Sequence, residues 1–313
     1  MSEEKAASPW KWVGSKRGLL PRLVPLLPPR APRSTYREPF VGGGAMFWEV
    51  GGPNSVLSDA NAELITTYCA IRDHVDAVVA ELRTMPNDKD YFHMVRARDP
   101  AHMGVVQVAA RMIYLNKTCT NGLYRVNSKG QFNAAFGYYT NPGICNEPRL
   151  RACSAALQGV RLFAADFERA LICAEPGDFV FMDPPYVPAS ATSSFVGYTT
   201  GGFTHNKAPV QARTVAGKLA QGGLFAATSV SGAKAPTRKE TDQQRLVRVL
   251  RELDQRGVLW MLTNSNTDDS RALYTGWNVT ILDGVRRQVS ALGGKSGDGP
   301  AALSSDIVVR NYG

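Results

Sequence analysis

Apolar residues recur along the chain in short runs and in helically spaced stripes, and the two alternate. Tyr36 to Val41 leads into Gly42-Gly43-Gly44, which predicts a strand, a tight loop and the start of a helix. Val56 and Leu57 suit a short buried strand, and Ala62 to Val75 a helix. The order strand, loop, helix, strand, acidic residue predicts a doubly wound α/β fold, which binds ligands at the carboxyl ends of its strands.

The character changes between about Ala77 and Arg151. VVAELRTM and VVQVAARMIYLNK read as helices, and the polar, aromatic, basic stretch 120–141 follows with frequent turn residues. We read 77–151 as a unit inserted into the α/β domain. The pattern resumes with GVRLFAADF and with DFVFMDPPYVP, where an apolar run stops at Asp183. Residues 204–240 are rich in Gly, Ala, Ser and basic residues, with one short helix expected near Val210 to Gln221. Thr241 and Gln244 form a capping-box pattern ahead of an amphipathic stripe that ends at Gly257. VLWMLTNSN predicts another buried strand, and WNVTILDG with SSDIVVRNY an antiparallel pair.

The 313 residues, 44% hydrophobic, suffice for one large core plus a smaller unit. A net charge of +9 favours a polyanionic partner such as nucleic acid. The amino-terminal stretch has no apolar signal region, and nothing approaches the ~18 apolar residues of a membrane span. A soluble, cytoplasmic protein that does not engage membranes is therefore expected. Five cysteines without a CxxC pair and four scattered histidines indicate neither disulfides nor a metal site.

Asp183-Pro184-Pro185-Tyr186 carries the most specific chemistry. An exocyclic amine of a base is a poor nucleophile, because its lone pair is delocalised into the ring. The Asp183 carboxylate and the Pro184 carbonyl can accept its hydrogens, two prolines fix the backbone, and Tyr186 offers a face for a base turned out of a duplex. Alone, the tetrapeptide also fits an ordinary turn. Phe40 and the loop with Gly42 and Gly44 let backbone approach a ligand, but without the GxGxxG spacing of dinucleotide binders. Asp59 is placed for a ribose diol or for a helix cap. Between Asn116 and Tyr139, basic residues interleave with aromatics and asparagines, a mixture suited to phosphate and base-edge contacts. Arg125 suits a guanine edge, and Asn121 or Asn127 an adenine edge or a phosphate. The bland alternative is a polar loop with core aromatics.

Together these motifs resemble the Dam-like alpha group of adenine-N6 DNA methyltransferases over most of the chain. Lys11-Trp12-Val13-Gly14-Ser15-Lys16 is similar to the family's KWxGGK cofactor motif, with Ser15 in place of a glycine. Glu38 to Gly44 resembles EPFxGGG, Asp59-Ala60-Asn61 the ribose-binding DxN, and Asp166-Phe167 the segment near the cofactor adenine. Leu115 to Gly137 resembles the DNA-contacting hairpin, except that Ala134-Ala135 and Tyr138 replace the Val-Pro and Arg of GATC-specific members. Phe195, Tyr198 and Phe203, then Asn264-Ser265-Asn266 and Asn311-Tyr312, are similar to later signatures.

The resemblance implies a Rossmann-like S-adenosylmethionine-dependent methyltransferase sheet with helices on both faces and a terminal antiparallel pair. It also implies an inserted, mostly helical target-recognition domain with a β-hairpin. Residues 1–76 and 152–313 form the expected catalytic domain, 77–151 the DNA-recognition domain, and 204–240 an extra basic insert, read as a solvated loop ahead of a DNA clamp. The implied activity is methyl transfer from S-adenosylmethionine to N6 of a flipped adenine in double-stranded DNA, by direct in-line attack without a covalent intermediate. Asp183, Pro184 and Tyr186 are the implied catalytic residues, and Trp12, Lys16, Phe40, Gly42, Gly44, Asp59, Asp166, Phe167 and Asp183 the cofactor site. Lys11, Lys117, Asn121, Leu123, Arg125, Asn127 and Tyr139 are the expected DNA contacts. A bacterial or phage enzyme, monomeric or weakly dimeric, with a restriction endonuclease as its partner, fits the family. Cytosine N4, RNA adenine and a catalytically silent DNA-binding protein are the rival readings, with a nicotinamide-dependent oxidoreductase a distant one.

Overall fold

A computed structural model describes residues 6–29, 34–187, 203, 240–286 and 303–313. After a short helix α1 (Leu20–Leu23) come β1 (Tyr36–Glu38), α2 (Ala45–Val50), β2 (Val56–Asp59) and the long α3 (Ala62–Arg83). Then follow α4 (Lys89–Ala97), α5 (Val105–Thr118), α6 (Glu147–Ala156), β3 (Arg161–Ala164), α7 (Phe167–Leu171) and β4 (Phe179–Met182). The last elements are α8 (Asp242–Gln255), β5 (Leu259–Ser265), α9 (Asp268–Leu273), β6 (Asn278–Arg286) and β7 (Leu303–Arg310).

Among the described residues seven strands form one sheet in the order β3-β2-β1-β4-β5-β7-β6. The first five in that order run parallel, and β7 pairs antiparallel with both β5 and β6. Side chains alternate across the sheet, as the pleat requires. Phe179, Phe181, Met261 and Val308 enter one core with α2, α3 and α5. Val180, Met182, Trp260, Leu262, Ile307 and Val309 enter the other, with α7 and α8. Helices therefore cover both faces, and the doubly wound architecture expected from the sequence is present. Buried Arg37 on β1 donates to Asp178 at 2.7 Å and ties β1 to the start of β4.

Local signals explain the element ends. The Asn61 side chain accepts the Leu64 amide at 3.1 Å and starts α3. Thr241 and Gln244 form the reciprocal capping box of α8. The limits expected for the inserted unit, 77 and 151, both lie inside helices. α3 continues to Arg83, broken only at His74 (φ −140, ψ 34), and α6 spans residue 151. One continuous core joins Tyr124, Phe132 and Ala134 of the inserted segment to Phe179 and Phe181 of the sheet. The expected hairpin is an irregular one, with isolated antiparallel bridges at Cys119–Phe136 and Val126–Phe132. The helix expected near Val210, the aromatics Phe195 and Tyr198, and the 204–240 insert other than Glu240 lie outside the described residues.

Candidate active site

β1 lies between β2 on one side and β4 on the other, so the strand order reverses there. Open α/β sheets bind ligands beside the carboxyl ends of the strands at such a switch point. Glu38, Asp59, Asp183 and Asn264 all sit at those ends, on β1, on β2, after β4 and on β5.

The glycine loop is held from several directions. The Gly42 amide donates to one Asp59 oxygen at 3.0 Å, the Asn61 amide to the other at 2.9 Å, and the Tyr68 hydroxyl donates to the Gly42 carbonyl at 3.0 Å. Gly42 has φ +45, and a Cβ there would lie 2.6 Å from Trp12 Nε1. Gly44, at φ +65, starts α2, and a Cβ on it would meet the Tyr68 hydroxyl at 2.9 Å. Trp12 stacks on Tyr124 with ring centroids 5.5 Å apart. Phe40 stacks on Phe167 at 5.3 Å, and Phe203 approaches both rings at 6.0 Å.

Acidic groups crowd this end of the sheet. Burial pushes the Asp59 carboxyl up to about 6. Glu38, only 2% exposed, is pushed up to about 8 by burial and by the nearby Asp183 and Asp59, although the Tyr36 hydroxyl donates to it at 2.7 Å. Burial raises Asp183 as well, against the opposing pull of Lys16. Buried Lys16 puts its ammonium 2.7 and 2.8 Å from the two Asp183 oxygens, and also donates to the Gly14 carbonyl at 2.6 Å. The same ammonium stands 4.6 Å from the Tyr186 ring centroid. The Thr263 hydroxyl completes the carboxylate's set at 2.8 Å.

The backbone of the Asp-Pro-Pro-Tyr loop is braced at both ends. Gln243 on α8 donates to the Pro185 carbonyl at 3.0 Å, and the Asn264 side chain accepts the Val187 amide at 3.0 Å. Tyr274 links these two braces, donating to Gln243 at 3.2 Å and accepting from Asn264 at 3.1 Å. Ser265 donates to the Val187 carbonyl at 2.7 Å. Among the described residues no donor reaches the Pro184 carbonyl.

Asp166 stands apart from this cluster in its bonding. It caps α7, and both its oxygens are gripped by Arg245, at 2.7 and 3.3 Å, in a network that includes Glu168 and Asp242.

The expected DNA contacts lie together on the hairpin and the amino-terminal motif. Buried Asn116 joins the two by bonding the Lys11 backbone at 3.0 and 2.8 Å and the Gly122 carbonyl at 2.9 Å. The Lys11 ammonium lies 5.7 Å from the Tyr139 ring, whose hydroxyl accepts the Asn121 amide at 2.7 Å. Burial lowers the affinity of Lys117 for its proton, and nearby Arg149 and Lys11 lower it further. Leu123 is half-buried. Arg125 is clamped to Asn133, through Nε at 2.7 Å and Nη2 at 3.1 Å. Asn127 spends its side-chain oxygen on the Lys129 and Gln131 amides, at 2.9 and 3.0 Å, and so forms the turn.

The sequence profile for D12 class N6 adenine-specific DNA methyltransferases matches residues 12–220. The chain belongs to this family. It is similar to the type II methyltransferase M1.LlaDCHI of Lactococcus lactis, 33% identical over 97% of this chain and 94% of the relative. It is also similar to the type II methyltransferase M.MjaIII of Methanocaldococcus jannaschii, 31% identical over 96% of this chain and 98% of the relative. The DNA adenine methylase of Escherichia coli is 30% identical over 62% of this chain and 70% of its own length.

In this adenine-specific DNA methyltransferase, sequence reading overlooked Thr263, Gln243, Tyr274 and Asp306. Thr263, Gln243 and Asp306 are buried polar residues in or beside an apolar run or on an amphipathic helix, and Tyr274 is a fully buried tyrosine just after α9. A buried polar group needs a partner, and that need was the available signal.

Proposed function

We propose that this enzyme takes its methyl group from S-adenosylmethionine and places it on N6 of an adenine flipped out of duplex DNA. The observation that carries this reading is Asp183, held by Lys16 and Thr263 at the end of β4 beside the glycine loop. The residues present suit the cofactor. Trp12 packs so closely on the glycine loop that only glycine fits at Gly42, and Asp59 and Asp183 face a bound cation with Glu38, whose raised carboxyl such a cation would help to ionise. S-adenosylmethionine, when bound, supplies an electrophilic methyl group on positively charged sulfur. Trp12, the glycine loop, Asp59 and the Phe40–Phe167 pair are the residues proposed to hold it.

An incoming amine must displace Lys16 from at least one Asp183 oxygen and from the face of Tyr186. Asp183 and the Pro184 carbonyl then accept the amine hydrogens and favour a tetrahedral nitrogen. The Tyr186 face already carries the Lys16 ammonium in this structure, which suits it to the positive charge that develops on the reacting nitrogen. The segment between α3 and α6 is proposed as the reader. Lys11 and Lys117 would face phosphates, and Arg125, prepositioned by Asn133, a base edge.

Asp183→Ala is expected to abolish methylation while sparing DNA binding, read by digesting treated DNA to nucleosides and quantifying N6-methyladenine. A fully active variant would overturn the assignment of Asp183. Methylcytosine as the product would overturn the assignment of the target base.

A further inference from the structure

β7 is apolar through Ile307, Val308 and Val309, yet its preceding residue, Asp306, is 3% exposed. A carboxylate in such a place costs free energy unless its bonds are used. Asp306 lies between Ser265 on β5 and Leu282 on β6, two strands away from β4. Its Oδ2 accepts the Tyr186 hydroxyl at 3.1 Å.

We propose that Asp306 is a positioning residue that fixes the Tyr186 ring for the target base, an inference that rests on the reading of Tyr186 as the base platform. Three features of the geometry argue for it. A carboxylate only accepts, so Tyr186 is held as a donor in one orientation. The bond ties the phenol to a strand of the sheet, so the side chain cannot swing about its Cα–Cβ bond without breaking it. The braces from Gln243, Asn264 and Ser265 hold the backbone on either side of Tyr186, whereas Asp306 holds the far end of its side chain. The backbone braces fix where the ring begins, and Asp306 fixes where it points. The antiparallel strand β7, two strands from β4, thereby reaches the Asp-Pro-Pro-Tyr loop.

The test is a double-mutant cycle on the full chain with duplex DNA and S-adenosylmethionine. Asp306→Ala and Tyr186→Phe are each expected to lower kcat about 10-fold with KM values little changed, and the double variant to be no worse than the poorer single one. A duplex with 2-aminopurine at the target position should show altered fluorescence on binding either single variant. Asp306→Asn, which keeps an acceptor, should recover most of the rate. Should Asp306→Ala not fold, Asp306→Thr, β-compatible and too short to reach the phenol, takes its place in the cycle. Additive losses, an unchanged kcat, or an Asn variant as impaired as the truncated one would overturn the proposal. Full activity in Tyr186→Ala would instead overturn the reading of Tyr186 itself.

Discussion

The floor of the proposed catalytic site and the hairpin proposed as the reader are both rich in polar residues, and they spend them in different ways. At the strand ends each side chain answers another from a different element: Lys16 and Thr263 on Asp183, Asp59 on the Gly42 amide, Gln243 and Tyr274 under the prolines. In the hairpin the side chains proposed to reach bases have local partners, while Tyr124 and Asn116 tie its base to Glu63 and Lys11. Asn127 serves its own turn, Asn133 clamps Arg125 eight residues away, and regular pairing is reduced to isolated bridges. The chemistry proposed for the strand ends thus rests on long-range contacts in a core, whereas the proposed base contacts rest on side chains held within a loop.

The largest effect should come from breaking the floor at Gly42. Gly42→Ala faces a positive φ and a clash with Trp12 together, and each alone costs on the order of 1–3 kcal/mol. A lower melting temperature and a cofactor affinity reduced at least tenfold are expected, with binding of DNA alone nearly unchanged. Equal losses of both affinities would erase the distinction between the two regions.

Glu38 supplies the next effect. Its carboxyl is raised from 4.5 to about 8, so the folded state holds this proton more tightly than the unfolded chain does. Its contribution to stability is full below about pH 4.5 and is lost as pH rises towards 8. Melting temperatures across that window should fall less steeply for Glu38→Gln than for the parent. A bound cation would favour the ionised form, so cofactor affinity should rise over the same window in the parent and rise less in the variant, where Asp59, pushed up to about 6, still ionises.

The same contrast explains what was legible beforehand. Strands ending at or just before Asp59 and Asp183, the glycine loop and the Thr241 cap are contiguous signals, and they suffice for the doubly wound class with its terminal antiparallel pair. Asp306, Thr263 and Gln243 act on a loop far away in sequence, so their roles depend on strand pairing that periodicity does not reveal. Residues 77 and 151 both lie within helices, because helical spacing runs on through α3 to Arg83 and through α6. In the hairpin, composition suggested base contacts for both Arg125 and Asn127 without showing that the second is occupied in a turn.

Arg125 and Asn133 sharpen the comparison at smaller cost. Arg125→Ala should relax discrimination at one base pair by about 1–3 kcal/mol while leaving the melting temperature within a degree or two. Asn133→Ala keeps the guanidinium but frees it, so it should weaken the same preference less. Sequencing methylated DNA from cells that express each variant reads both effects. A preference untouched by either substitution would mean that another part of the molecule reads the site.

Tyr138 gives the smallest effect and the most direct test of how loosely the hairpin is coupled to the core. It is 71% exposed, its φ of +53 lies in the left-handed region, and Lys89 lies 5.9 Å from its ring. A non-glycine residue there costs about 1 kcal/mol, set against one edge-on contact of its ring with Phe136 at 5.0 Å. Tyr138→Gly should therefore raise the melting temperature slightly, or leave it unchanged, since relief of strain is offset by a more flexible unfolded chain. Tyr138→Ala keeps the strain and removes the ring, so the pair separates backbone from side chain. If both variants lose DNA affinity equally while cofactor binding holds, the ring contacts the duplex, and the strain is the cost of presenting it. If both lower the melting temperature by several degrees, Tyr138 is part of the core and the contrast between the two regions fails there.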